Sequence, residues 1–153
     1  MALTKVRSGG FTAGAILQVV QTTTSTAVNA SGDDVTATGL SLAITPQSTS
    51  NKILVTGSVN GVFTNATSTG VNIDVFRGAS SSDTKIADAH VHGAFDTAST
   101  DNQVNVPFMV LDSPSTTSAQ TYSVFFNRST GSGTARVQSN STVSNLTLME
   151  VAG

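Results

Sequence analysis

The sequence predicts an all-β chain folded as a two-sheet antiparallel sandwich, with jelly roll as the leading topology. Three observations lead there. About nine or ten short apolar or alternating stretches are separated by Gly, Pro, Asn, Asp and Ser clusters, at the spacing of a sandwich or barrel. The chain holds 24 Thr and 21 Ser but only 10% charged residues, so hydroxyls and amides must supply most of its polar surface. Thr and Val carry a branched Cβ that a pleated sheet accommodates and a helix restricts. No window keeps a helical period over the ~10–12 residues a helix needs, and no repeat of fixed period is present.

The elements follow in order. Residues 1–10 read as a flexible arm carrying Lys5 and Arg7 and ending in Ser8-Gly9-Gly10, and residues 11–153 as one sandwich domain. Residues 15–21 are nearly continuously apolar, which predicts a first strand buried on both faces. Residues 22–34 read as a loop or weak edge strand, with a turn at Gly32-Asp33-Asp34. In the next strand Leu40, Leu42 and Ile44 share one face, and Pro46 ends it, because proline cannot donate to a ladder. Ile53, Val55 and Gly57 face opposite to Leu54 and Thr56, and Asn60-Gly61 reads as a turn. Residues 71–75 alternate as a half-buried strand.

Residues 86–92 form a further strand, with Asp88, His90 and His92 opposite Ala87, Ala89 and Val91. Residues 95–102 read as a loop. Residues 104–111 form an apolar strand whose internal Pro107 requires an edge or a bulge. Tyr122 to Phe126 is the most aromatic strand, residues 134–138 a short one. In the last, Leu146, Leu148 and Glu150 alternate with Thr147, Met149 and Val151.

Composition narrows the function. A domain of 153 residues can bury roughly 68–70% of the surface of its unfolded chain, so a full core is available. A net charge of −2 provides no basic field for nucleic acid or anionic lipid. No apolar run approaches the ~18–20 residues that cross a bilayer as a helix, so no membrane insertion is expected. Lys5 and Arg7 before residues 13–20 have the outline of a secretion signal, but Gly14 and Gln18 interrupt it, and synthesis without secretion is expected. Cysteine is absent, which removes disulfides and thiolate metal sites. No cofactor is predicted.

Few residues suggest chemistry. His90 and His92 stand two apart on a strand, so both imidazoles can meet one metal ion; across a trimer axis three such pairs would supply six nitrogens. The plainer reading is a pair of polar residues on a strand surface. Asp33-Asp34 and Asp96 with Asp101 could offer oxygens to Ca²⁺, but neither has EF-hand spacing, and turn residues are the plainer reading. Tyr122, Phe125 and Phe126 could form a sugar-stacking platform or, as aromatics in a strand more often do, pack a core. Hydroxyls and amides of loops at 63–70 and 95–102 are the other candidates for glycan contact. Glu150 is the only glutamate, and neither a Gly-x-Ser-x-Gly nor a phosphate loop is present, so no enzyme is predicted.

A sandwich this low in charge leaves strand edges without the lysines that block pairing, which favours assembly. Closed symmetric oligomers are the rule, and a homotrimer is predicted.

The segments Ile16-Leu17-Gln18-Val19-Val20-Gln21, Thr38-Gly39-Leu40-Ser41-Leu42-Ala43-Ile44-Thr45-Pro46 and Ser50-Asn51-Lys52-Ile53-Leu54-Val55 resemble a group of short bacteriophage virion proteins, cyanophages among their sources. Asp112-Ser113-Pro114, Thr121-Tyr122 and Leu146-Thr147-Leu148-Met149-Glu150-Val151 are similar to that group too, and residues 63–102 depart most from it. The resemblance implies a tail-fibre-like or capsid-surface protein of jelly-roll type, similar to trimeric knobs, and carries no catalytic residues. The expectation is a non-catalytic phage virion structural protein, fibre or knob or capsid decoration, assembled in the host cytoplasm. It would partner with other virion proteins and in some cases a host-surface glycan. The alternative is a soluble carbohydrate-binding β-sandwich module.

Overall fold

Where apolar residues alternate between turn clusters, the chain does form strands. The computed structural model describes residues 13–30, 32–93, 95, 97–98 and 102–153, with the side chains of 89–93 outside that description. The arm expected at 1–10 and most of the loop expected at 95–102 lie outside the described residues. Among the described residues the strands are β1 (Ile16–Thr24), β2 (Val28–Ala30), β3 (Thr36–Ile44), β4 (Lys52–Thr64), β5 (Gly70–Arg77), β6 (Thr84–Gly93), β7 (Asn102–Asp112), β8 (Gln120–Thr130), β9 (Ala135–Val137) and β10 (Ser144–Val151).

They build two antiparallel sheets. One runs β1-β10-β4, with β7 on the far side of β4 and the short β9-β2 pair joined to the end of β4 through β9; the other runs β3-β8-β5-β6. Setting the short β2 and β9 aside, the eight remaining strands interleave as 1-10-4-7 against 3-8-5-6. This is the double Greek key of a jelly roll. The expected fold class is therefore the observed one.

The core lies between the sheets. Ile53, Val55 and Val59 of β4, Leu146 and Leu148 of β10, Ile73 and Val75 of β5, and Tyr122, Val124 and Phe126 of β8 are fully buried. Each buried aliphatic side chain contributes about 1.5–3 kcal/mol of transfer free energy. Leu40, Leu42 and Ile44 turn one face to this core as their alternation requires. Pro107 sits on β7, which among the described residues pairs with β4 alone, so the internal proline falls on an edge strand as expected.

Three expectations are corrected. β1 is not buried on both faces: among the described residues it pairs with β10 alone, and Ile16 and Val19 are exposed. An edge strand of a sandwich has one face in water whatever its composition. Asn60-Gly61 is not a turn, since β4 runs through it to Thr64; the register against β7 shifts between Val59 and Val62, and Gly61 has φ +61°. A Cβ there would strike Thr142 Oγ1, so the bulge requires glycine. The polar side of β5 is not solvated throughout, because Asp74 is buried.

Candidate functional site

The residues singled out by sequence do not form one site. His90 and His92 lie on β6, but their side chains are outside the described residues. The backbone there is irregular: Ile73 faces His90, and the β5–β6 register shifts on both sides of that pair. Among the described residues no group of three or more His, Cys, Asp or Glu could hold a metal ion. Asp33 is a solvated turn residue reached by Arg128 at 3.4 Å, and Asp34 is exposed. Asp96 and Asp101 are outside the described residues. Tyr122, Phe125 and Phe126 are all buried, so they pack the protein and offer no stacking platform. In the 63–70 loop Asn65 Oδ1 accepts from the Thr134 N–H at 2.7 Å, tying that loop to the turn after β8.

The structure instead gathers three polar clusters. The first surrounds Glu150, which is fully buried on the core face of β10. The Asn51 amide, the Gln47 backbone N–H and the Gln18 amide each donate to its carboxylate at 2.6 Å, and the Gln47 side chain adds a bond of 3.4 Å. Burial alone pushes this carboxyl up, but the donors, Asn51 foremost, outweigh it and hold the group below the ordinary glutamate value. Gln18 also donates to the Thr45 carbonyl, and the Gly153 N–H donates to Asn51 Oδ1. β1, β10 and the β3–β4 connection are thereby locked together. The signal was present in the sequence: a glutamate alternating in phase with Leu146 and Leu148 points inward and must find donors.

The second cluster closes one end of the sandwich. Arg77 Nη1 donates to both oxygens of Asp112 at 3.1 and 3.0 Å, and the Tyr122 hydroxyl donates to Asp112 Oδ2 at 2.7 Å. Burial and then the Asp112 carboxylate push the tyrosine far above its usual range. Asp112 ends β7 of one sheet, whereas Arg77 and Tyr122 belong to the other, so the cluster joins the sheets. The third lies on the outward side of β5. Asp74 pairs with Lys85 at 3.0 Å, and Lys85 lies 5.8 Å above the Phe76 ring, which meets Phe125 edge-on at 5.4 Å. Burial, followed by a hydrogen bond shared with Asp88, pushes Asp74 up to about 6 against the pull of Lys85.

One surface is unusual. On the outward face of the first sheet, cross-strand partners line up as Val19, Met149, Leu54 and Leu111, one from each of β1, β10, β4 and β7. The next row is Gln21, Thr147, Thr56 and Met109, and the third Thr23, Asn145, Ser58 and Pro107. Ile16 and Val151 pair beside the first row. Met109 is 73% exposed, Val19 55%, Leu111 49% and Ile16 48%. Lys52, paired with Val151 at the margin, is the one ionisable residue beside these rows.

No family model matches the chain, and no curated protein matches it. Solved structures do. The structure of infectious bursal disease virus Gx strain superposes with a TM-score of 0.55 at 11% identity, over 89% of this chain and 32% of that one. The infectious bursal disease virus VP2 subviral particle gives a TM-score of 0.51 at 11% identity, over 89% of this chain and 33% of that one. This chain spans about a third of the length of those it matches. At such low identity the likeness is one of fold.

Proposed function

We propose that this chain is a non-catalytic structural subunit of a phage virion, displayed on the particle surface as a fibre knob or capsid decoration and acting by assembly and adhesion. The observation that carries the reading is the jelly-roll strand order, shared at the level of fold with proteins solved as parts of virus particles. The polar clusters support it: Glu150, Asp112 with Tyr122, and Asp74 are held by partners inside the fold and work as joints between strands and sheets. In this reading residues 1–10 anchor the domain to other virion proteins, and the subunit is a homotrimer. His90 and His92 would then meet their copies about the axis, where three pairs could hold a metal ion. Elemental analysis of untagged protein tests that: no transition metal near stoichiometric amount removes it.

Mass spectrometry of purified particles, with copy number, tests the main reading. Tens to hundreds of copies per particle indicate decoration and a few indicate a fibre; absence from particles overturns the proposal. The carbohydrate-binding alternative predicts glycan-array binding by the isolated protein, and the burial of Tyr122, Phe125 and Phe126 removes the aromatic platform it would most readily use. A host glycan, where one is bound, would be met by hydroxyls and amides.

A further inference from the structure

We propose that the outward face of the β1-β10-β4-β7 sheet is where a second copy of this chain docks, with the β1 flank of one copy against the β7 flank of the next. The inference rests on the homotrimer reading and assigns its contact surface. A solvated sheet face ordinarily alternates polar residues outward, and exposed apolar side chains are scattered singly. Here Ile16, Val19, Met109 and Leu111 make up four of the seven exposed large hydrophobic residues described, and all four fall on one face. Met149 and Leu54 connect them across the middle in an unbroken row.

Charge favours another copy as occupant. The three rows hold no ionisable residue, and the one beside them is Lys52, paired with Val151 at the margin. A neutral, hydroxyl- and amide-bearing surface can cover itself without like-charge repulsion, whereas it offers a charged partner nothing to pair with. The opposite outward face differs, with Asp74, Lys85 and Asp88 standing on it. Four strands ~4.8 Å apart and about seven residues long cover roughly 450 Å² on each copy; a ring divides that face between two neighbours, so one contact takes roughly 450 Å² in all before side-chain relief. One such contact is small, and closing the ring, in which every copy is held twice, adds to it.

Exposure also sets the direction. The most exposed apolar residues stand at the two flanks, Ile16 and Val19 on β1 and Met109 and Leu111 on β7, while Met149 and Leu54 between them are half-buried. Flank on flank is a heterologous contact, the kind that closes into rings, rather than the self-matching contact of a twofold dimer.

Sedimentation of the wild type, Met109→Asp and Ala37→Asp, the last on the other sheet, provides the first arm. Met109→Asp is expected to weaken association by ~100-fold or more with an unchanged β-type circular dichroism spectrum, and Ala37→Asp to leave it intact. Because the chain has no cysteine, Val19→Cys and Leu111→Cys provide the second arm. Under oxidation an equimolar mixture should cross-link while each variant alone does not. Cross-linking of either variant with itself overturns the flank-to-flank arrangement. A Met109→Asp protein that stays trimeric overturns the face and leaves the trimer standing. A wild type that forms dimers lost in Met109→Asp removes the trimer and keeps the face, and a wild-type monomer at micromolar concentration overturns both. If Met109→Asp fails to fold, the cysteine pair decides.

Discussion

Each sheet buries one carboxyl group, and the two are treated in opposite ways. Glu150, in the first sheet, is surrounded by neutral donors from three chain segments and stays charged below its ordinary range. Asp74, in the second, has one cation, Lys85, and a second acid, Asp88, which shares a hydrogen bond with it; its carboxyl is pushed up to about 6. Both groups are almost wholly removed from water. Burial therefore does not decide the charge state; the number and kind of donors facing the oxygens do. The first arrangement is a lock that works at any pH near neutrality, and the second a joint that gains a proton within a mildly acidic range.

Breaking the lock should have the largest effect. Glu150→Ala leaves the Asn51, Gln47 and Gln18 donors facing a cavity, and a loss of about 3–5 kcal/mol is expected by urea denaturation. Glu150→Gln keeps the shape but turns an amide donor toward other donors, and should cost about 2–3 kcal/mol. The two together separate the acceptor's role from that of its volume.

The pH profile comes next. Asp74 has a folded value raised from 3.8 to about 6, so its stabilising contribution is full below pH ~4 and is lost as pH rises through about 6. Glu150 is lowered from 4.5, so its contribution is present above that value and is lost as pH falls through the folded one. Relative to Asp74→Asn, the wild type should therefore gain stability between pH 7 and 5; relative to Glu150→Gln, it should lose stability on further acidification. The smallest effect is expected from Asp74→Asn at pH 7.5, a gain of about 1 kcal/mol as the strained charge disappears, offset in part by loss of the Lys85 pair. A loss of several kcal/mol there would show that Asp74 is held like Glu150.

Much of the architecture was legible because alternation and punctuation are local signals. Leu40, Leu42 and Ile44 announced their inward face, and Pro107 announced an edge. What failed depended on position in the sheet. Residues 15–21 looked like a central strand, but a run of apolar residues does not say whether a second layer covers its outer side. Asn60-Gly61 carries the residues of a turn, and pairing with β10 and β7 before it and with β7 and β9 after it holds the chain extended through it. The Glu150 cluster was half legible. Its phase pointed inward, but Gln18, Gln47 and Asn51 stand about 100 or more residues away, and nothing local marks them as its donors.

β1 has a hydrogen-bonded neighbour only in β10, at the other end of the described chain. During synthesis β1 must therefore wait until β10 is made. Until then a nine-residue segment without charge or proline lies beside a sheet that has no place for it. A polypeptide stopped before β10 would thus present an open seam to its siblings.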